Sequence, residues 1–143
     1  MKLLRVGRVL LGAVFIYASY DKLLHPAQFA EAVANYRLLP PLAVGLVANT
    51  LPLLELVCGL LLLLGVAVPG ASLLTSLLLV GFAGAIIQAI WRGLDIECGC
   101  FSAAAERVGY PVLARDLVLL LLSLAVLAGS LIADRERSRR LIL

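Results

Sequence analysis

Long runs of apolar residues, with charges only at intervals, dominate this chain. Within residues 38–91 the only formal charge is Glu55. This stretch is long enough for two bilayer-spanning helices of about 20 residues each. A Val-Pro-Gly sequence at 68–70 divides it, because Pro-Gly is typical of turns rather than of helix interiors. The pattern predicts transmembrane helices at about residues 42–65 and 71–91.

Two further spans are predicted at the ends of the chain. An apolar run at about residues 112–133 forms one of them. The other, at about residues 4–24, has a shorter uncharged centre, with Arg8 and Lys22 expected to snorkel from its two ends. It resembles a signal peptide in its basic start, but no good small-x-small cleavage site precedes Asp21, so we expect an uncleaved span.

The segment between the first two spans is predicted to hold a short helix. Pro26 suits a first helical position, and the Pro-Pro pair at 40–41 ends the segment. Apolar side chains recur at helical spacing, at Phe29, Val33 and Tyr36. We therefore expect an all-α protein: one integral membrane domain over residues 1–143, built as a four-transmembrane-helix bundle with a short interfacial helix between spans 1 and 2.

The composition supports this fold class. Of the 143 residues, 63% are hydrophobic and 15% are charged, and the mean hydropathy is +1.08. A soluble domain carries about 45–50% apolar and about 25% charged residues. These values exclude a nucleic-acid-binding domain, a disordered chain and a secreted disulfide scaffold. The expected surroundings are a lipid bilayer, and no nucleic-acid partner is expected although the pI is near 9.0.

The distribution of Lys and Arg predicts the orientation. With four spans, seven of these residues fall on the side of the two termini: Lys2, Arg5, Arg8, Arg135, Arg137, Arg139 and Arg140. The other side has five, spread over longer loops together with six acidic residues. By the positive-inside rule we expect both termini in the cytoplasm and the segments 21–41 and 92–110 in the periplasm. The predicted location is the inner (cytoplasmic) membrane of a bacterium.

A Cys-Gly-Cys sequence in the loop 92–110 is the main candidate for chemistry. A disulfide between Cys98 and Cys100 closes a very small ring, and strain makes such a bond exchange readily. Gly99 permits the backbone angles that closure needs. In an oxidising compartment this pattern indicates an exchangeable dithiol. Two alternatives stay open: two-sulfur ligation of a soft metal such as Cu(I) or Hg(II), or two incidental loop residues.

Two residues within the second span are further candidates for a functional role. Cys58 lies about 24 Å along the helix from its outer end, at 1.5 Å per residue, and is interpreted as a buried core residue. Glu55 is costly in lipid and should face the bundle interior. It is either a proton carrier coupled to thiol chemistry, beside a quinone, or a structural hydrogen-bonding group. The partners considered for the structural role are Tyr17, Tyr20, Gln88 and Arg92.

The remaining polar and aromatic residues near the helix ends have structural interpretations. The aromatic belt is expected to include Tyr17, Tyr20 and Trp91. The residues expected to anchor the outer helix ends are Asp21, Lys22 and Arg92. Arg115 and Asp116, near the start of the last span, are expected to pair with one of these anchors. Arg92 or Arg107 is also placed to favour a thiolate in the nearby loop.

Taken together, these motifs resemble the MauE (methylamine utilisation) family, within the wider group of small DoxX-like four-helix membrane proteins. The segments that carry the resemblance are residues 17–22, 25–26, 35–40, 51–55, 58–59, 92–96, 98–101 and 115–116. One position departs from the family pattern, since Ser102 stands where a Gly commonly follows Cys-Gly-Cys-Phe. The resemblance implies a membrane partner for a periplasmic thioredoxin-like protein, in disulfide formation or in maturation of exported proteins such as methylamine dehydrogenase.

The resulting hypothesis is thiol–disulfide exchange at Cys98 and Cys100, with Glu55, Arg92, Arg115 and Asp116 in supporting roles. The polar residues expected to make contacts inside the bundle are Tyr17, Tyr20, Asp21, Lys22 and Cys58. No covalently bound cofactor is expected, and a quinone is a candidate electron acceptor or donor. The competing interpretations are a soft-metal binding or transport protein and a non-catalytic membrane scaffold, so enzymatic activity stays an open question at this point.

Overall fold

Helices make up most of the chain in the computed structural model, which describes residues 2–98 and 106–143. In chain order they are α1 (Lys2–Leu24), α2 (Pro26–Asn35), α3 (Pro41–Leu64), α4 (Val68–Trp91) and α5 (Tyr110–Ile142). Four of them, α1, α3, α4 and α5, are long and apolar enough to cross a membrane. The predicted all-α, multi-pass membrane architecture is confirmed, with α2 as the short helix between the first two spans.

The helix bounds agree with the predicted spans except at two places. The first is α5, whose 33 residues measure about 50 Å at 1.5 Å per residue, against a hydrocarbon thickness of about 30 Å. The helix therefore continues beyond the predicted span at 112–133, through the charged stretch at 134–140. Helical backbone does not need to stop at the membrane surface, because its hydrogen bonds are made within the segment.

The second difference is the position of the turn between α3 and α4. The predicted divider at 68–70 is wrong: Pro69 and Gly70 lie in the first turn of α4. Proline is well suited to that position, because its missing N–H would have no partner within the helix there. The chain turns earlier instead, where Gly65 ends α3 with a left-handed backbone (φ +75°).

The four long helices form a closed ring, in which α1 and α4 each pack against both α3 and α5. The closest approach is between α1 and α3. A Cβ built on Gly12 would lie 2.9 Å from the carbonyl oxygen of Gly59, and one on Gly59 would lie 2.9 Å from that of Gly12. Only glycine allows two helix backbones to meet at this distance, which is a common device in membrane bundles.

Hydroxyl side chains join α4 to α5. The Ser76 and Ser123 hydroxyl oxygens are 2.8 Å apart, and the Ser123 hydroxyl also lies 3.1 Å from the carbonyl oxygen of Ser72. All three side chains are buried. Small residues with hydrogen-bonding capacity hold membrane helices together where no hydrophobic force drives association.

The short helix α2 packs beside the first half of α3 and against α1. Its Phe29 and Ala32 are buried, and Tyr36, directly after the helix, is also buried. We use the term α2 end for the end of the bundle that holds α2, the start of α3, the end of α4 and the start of α5. Cys98 and Glu106, the described residues on either side of the segment 99–105, lie at this end.

Candidate functional site

A buried ion pair joins α1 to α3. The Lys22 ammonium, in the last turn of α1, donates hydrogen bonds of 2.7 and 2.8 Å to the two carboxylate oxygens of Glu55 on α3. The two side chains are only 2% and 1% exposed. The expectation that Lys22 snorkels outward is therefore wrong. Its head turns inward because Glu55 supplies a charge partner, and an unpaired carboxylate in this position would be costly.

The position of this pair shows how α1 and α3 are staggered. Lys22 is near the end of α1, whereas Glu55 follows Pro41 by 14 residues, about 21 Å along the axis of α3. The last turn of α1 therefore lies near the middle of α3. The space beyond the end of α1 is the space that α2 occupies, alongside the first half of α3.

The partners considered for Glu55 from the sequence lie elsewhere. Tyr17 and Tyr20 are 53% and 61% exposed, as expected for residues of an aromatic belt rather than for contacts in the bundle interior. The Arg92 guanidinium donates to the Arg37 carbonyl oxygen at 3.5 Å. Gln88 has both amide atoms buried without a hydrogen-bond partner among the described residues. The cost of a carboxylate in lipid correctly predicted that Glu55 faces inward, but it did not identify Lys22 as the partner.

Two aromatic rings flank the Lys22 ammonium. Its nitrogen lies 5.2 Å from the ring centre of Phe29 on α2 and 5.3 Å from that of Phe82 on α4. Both distances are within the range of about 6 Å for cation–π attraction. Four elements of the fold therefore meet at one ammonium group: α1 carries it, α3 pairs with it, and α2 and α4 cover it.

Cys98 is held at the α2 end by hydrogen bonds to both of its backbone groups. Its amide N–H donates to the Glu106 carbonyl oxygen at 2.7 Å, and the Tyr36 hydroxyl donates to its carbonyl oxygen at 2.8 Å. Next to it, the Val108 amide donates to the Ile96 carbonyl oxygen at 2.8 Å. Cys98 and Glu106, which flank the segment 99–105, are thereby joined to each other, and Cys98 is joined to Tyr36, the residue directly after α2.

The Cys98 side chain is buried at 5% exposure and packs with Ile86 of α4 and Val112 of α5. Cys100, its predicted disulfide partner, lies outside the described residues, as does Ser102. The disulfide itself therefore stays a prediction.

A cavity of about 240 Å³ extends from Cys98 to Lys22. Apart from the Lys22 ammonium, the walls of this cavity are almost entirely apolar. Tyr36 adds an aromatic ring to those of Phe29 and Phe82. The lining residues include Phe29, Tyr36, Val47, Leu51, Gly81 and Phe82. Cys98 and Lys22 of the buried ion pair, which are 76 positions apart in the sequence, thus border the same space.

A second, smaller cavity lies on the other side of the ion pair. It measures about 30 Å³, enough for a water molecule, and is lined by Lys22, Glu55 and Asp116 among others. Asp116 is 5% exposed, and its Oδ2 atom has no hydrogen-bond partner among the described residues. Beside it, Arg115 forms an ion pair with Glu106. Asp116 is thus turned into the bundle near Glu55, which the sequence did not indicate.

The remaining predicted residues have simpler surroundings. Cys58 lies one turn beyond Glu55 on α3 and is 1% exposed, which confirms that it is a buried core residue. Arg107 forms an exposed ion pair with Asp95 at 3.0 Å. Within residues 2–98 and 106–143 no group of three or more His, Cys, Asp or Glu side chains is arranged to hold a metal ion.

Sequence reasoning missed the roles of Tyr36 and Phe82. Tyr36 was identified only as an apolar position at helical spacing from Phe29, without any indication that it faces the bundle. The sequence did not indicate that the Tyr36 hydroxyl donates a hydrogen bond to the Cys98 carbonyl oxygen. Phe82 lies in an unbroken apolar span, where nothing distinguishes it from its neighbours.

Comparison with known proteins identifies relatives over most of the chain. The family described as "Methylamine utilisation protein MauE" matches residues 1–129. A protein named methylamine utilization protein MauE from Paracoccus denitrificans is 38% identical over 125 residues, covering 85% of this chain and 67% of the relative. Proteins of the same name from Paracoccus versutus and Methylophilus methylotrophus are 35% and 36% identical over 123 and 118 residues.

The matched regions cover 85% and 80% of this chain, and 66% and 62% of these last two relatives. The chain therefore spans about two thirds of the length of the relatives it matches. No solved structure matches the chain.

Proposed function

This chain belongs to the MauE family of methylamine utilisation proteins, and we propose that it exchanges disulfides, through Cys98 and Cys100, with a periplasmic thioredoxin-like protein. In this role it would support the maturation of an exported protein of methylamine utilisation. The proposal places the α2 end of the bundle on the periplasmic side, where an oxidising environment permits disulfide chemistry.

The observation that carries the proposal is the way the bundle holds Cys98. Its amide and carbonyl groups are both bound, to Glu106 and Tyr36, and its side chain packs between α4 and α5. A redox-active cysteine benefits from such fixation, because a fixed sulfur keeps its orientation while the bond to its partner opens and closes. A loop cysteine without a function would not be expected to pack against two helices, as Cys98 does against α4 and α5.

The exchange takes two steps in which atoms and electrons balance. A thiolate of the partner attacks one sulfur of the Cys98–Cys100 disulfide, which forms a mixed disulfide and releases the other cysteine as a thiolate. Because Cys98 is buried, attack falls on Cys100 and Cys98 is the sulfur released. The second cysteine of the partner then attacks the mixed disulfide. The partner leaves oxidised, with both cysteines of this protein reduced; the reverse sequence transfers electrons the other way.

Disulfide trapping tests the proposal. A thioredoxin-like protein that retains only its attacking cysteine is mixed with the oxidised protein, and covalent adducts are separated under non-reducing conditions. We expect an adduct with the Cys98→Ser variant pre-activated at Cys100 by an aromatic disulfide, and much less with the Cys100→Ser variant pre-activated at Cys98. The matched control is Cys58→Ser, which removes a buried cysteine of α3 and should leave adduct formation unchanged.

The other interpretations give different results in the same experiment. If Cys98 and Cys100 stay permanently reduced under oxidising conditions and no adduct forms, thiol exchange is wrong. Stoichiometric Cu(I) binding that disappears in either single serine variant would then indicate the soft-metal function. A partner complex that survives replacement of both cysteines, with no adduct in the wild type, would indicate a scaffold.

A further inference from the structure

Lys22, which lines the cavity that extends to Cys98, has hydrogen-bonding capacity that is not used up. An ammonium group carries three N–H donors. Lys22 directs two hydrogen bonds to the carboxylate oxygens of Glu55, and no other acceptor is found for it among the described residues. Because Lys22 lines the cavity, the third donor is available to a molecule bound there.

The charge of the site restricts what that molecule can be. The Glu55 carboxylate already neutralises Lys22 at hydrogen-bond distance, so the pair presents no net charge to the cavity. An anionic headgroup would gain little here and would lose its hydration. A neutral molecule with an apolar body and a hydrogen-bond acceptor fits better, since most of the lining side chains are apolar and Lys22 offers a donor.

The size and the walls favour a substituted ring. Apolar cavities of about 150 Å³ bind benzene, so about 240 Å³ leaves room for a ring with substituents. Phe29 and Phe82 supply aromatic surfaces on either side of the ammonium, and aromatic rings pack favourably against one another. The cavity also lies between membrane-spanning helices, where a lipid-soluble ligand is available.

We propose that this cavity binds the head ring of a membrane quinone, with one ring carbonyl accepting a hydrogen bond from Lys22 and the ring lying towards Cys98. The location of the site follows from the cavity alone, whereas its role in electron transfer rests on the proposed function. Apolar side chains of α3 and α4 enclose the ring, and Gly81 leaves open the space that a larger residue would fill.

With a quinone as oxidant, electrons flow from the partner to the membrane. The two thiols of Cys98 and Cys100 together lose two electrons and two protons and become a disulfide. The quinone takes up both electrons and both protons and leaves as quinol. Lys22 stabilises the negative charge that develops on the quinone oxygen during this step, because it lies at hydrogen-bond distance from the carbonyl.

Binding is tested with decyl-ubiquinone and the protein in lipid nanodiscs. The Cys98→Ser/Cys100→Ser variant is used, so that ligand binding is measured without any thiol chemistry. The cavity is filled with Gly81→Leu, and the matched control is Gly84→Leu on the same helix. A Cβ at either glycine meets no atom within 4 Å, so both variants should fold, but only Gly81 lines the cavity.

We expect the Gly81→Leu change to weaken decyl-ubiquinone binding by at least about tenfold, and the Gly84→Leu change to leave it within about twofold. Equal binding to both variants would overturn the proposal, as would the absence of binding to the parent protein. If Gly81→Leu unfolds at a lower temperature than Gly84→Leu, Ala85→Leu provides a second way to fill the same cavity.

A second experiment tests whether Lys22 is the hydrogen-bond donor and whether a phospholipid occupies the cavity instead of a quinone. Replacing both members of the pair, as Lys22→Met/Glu55→Met, removes the donor without leaving a buried charge, and we expect weaker quinone binding. Phospholipid recovered from the cavity in place of quinone, undisplaced by excess decyl-ubiquinone, would overturn the proposal. Since these measurements use a protein without the thiol pair, failure of thiol exchange would leave them unaffected, and failure here would leave the trapping result standing.

Discussion

Lys22 and Glu55 form an ion pair in which one ammonium donates to both carboxylate oxygens, at 2.7 and 2.8 Å, inside a bundle of membrane-spanning helices. The contact joins the last turn of α1 to the middle of α3. It accounts for the presence of a carboxylate in an otherwise uncharged stretch of more than 50 residues. It also explains why α1 can end at this depth, since the lysine head is satisfied within the protein.

Removing one member of the pair should destabilise the protein strongly. With Glu55→Ala, the Lys22 ammonium stays buried between two aromatic rings without its counter-charge, and losses of about 3–5 kcal/mol are typical of a broken buried pair. We expect a markedly lower thermal unfolding midpoint in detergent. The double variant Lys22→Met/Glu55→Met should recover most of the loss. If Glu55→Ala unfolds at the wild-type temperature, the pair does not form.

The close contact between α1 and α3 predicts a second effect on stability. In Gly59→Leu the new Cβ would lie 2.8 Å from a side-chain carbon of Ile16 and 2.9 Å from the Gly12 carbonyl oxygen. Overpacking of this kind costs about 1–3 kcal/mol or more. The control is Gly45→Leu, on the same helix, where a Cβ meets no atom within 4 Å. We expect only Gly59→Leu to lower the unfolding midpoint; equal midpoints would contradict the observed helix crossing.

The hydrogen bond from Tyr36 to the Cys98 carbonyl oxygen predicts an effect on thiol accessibility. Tyr36→Phe removes a bond worth about 1 kcal/mol, so the segment around Cys98 should open about five times more often. Maleimide labelling of Cys98, in a background where the other two cysteines are serine, should accelerate accordingly. Tyr20→Phe makes the same change at an exposed tyrosine of α1 and should not alter the rate. A similar increase in both variants would show that the bond does not restrain Cys98.

The orientation expected from the Lys and Arg distribution is tested with reporter fusions. Alkaline phosphatase, which is active only outside the cytoplasm, should be inactive when fused after Leu143 and active when fused in the loop after Arg107. The physical reason is the larger number of basic residues on the side of the termini. The opposite pattern would place the cysteine pair in the reducing cytosol and would remove the basis for disulfide exchange.

The fold was largely predictable because its signals are local. Hydrophobic runs of the right length identify membrane spans without knowledge of their neighbours, since every backbone hydrogen bond of such a helix is made within the segment. The exact turn between α3 and α4 was less predictable. Pro69 and Gly70 suit both a loop between helices and the first turn of a helix. In the structure they lie in the first turn of α4, because α3 already ends at Gly65, which has a left-handed backbone.

The candidate site was predictable only in part. Glu55 stands out in an apolar span, and Cys98 with Cys100 stands out by spacing, so each could be identified alone. Lys22 was expected both to snorkel from a helix end and to make a polar contact inside the bundle, and the sequence did not decide between the two. Its inward direction depends on the stagger between α1 and α3, which no local pattern encodes. Asp116 was interpreted as a residue near a helix start, whereas the packing of α5 turns it towards Glu55.

The sequence by itself determined that this chain is a helical membrane protein of the MauE family with a Cys-Gly-Cys loop. The length and hydropathy of an apolar run and the spacing of a motif depend only on residues that are neighbours in the chain, so they can be identified without knowing the tertiary structure. Only the tertiary structure decided that Lys22 pairs with Glu55 and that Phe29 and Phe82 flank the ammonium. It alone shows that Cys98 borders the same cavity, because these contacts join residues on different helices, and packing in three dimensions brings them together.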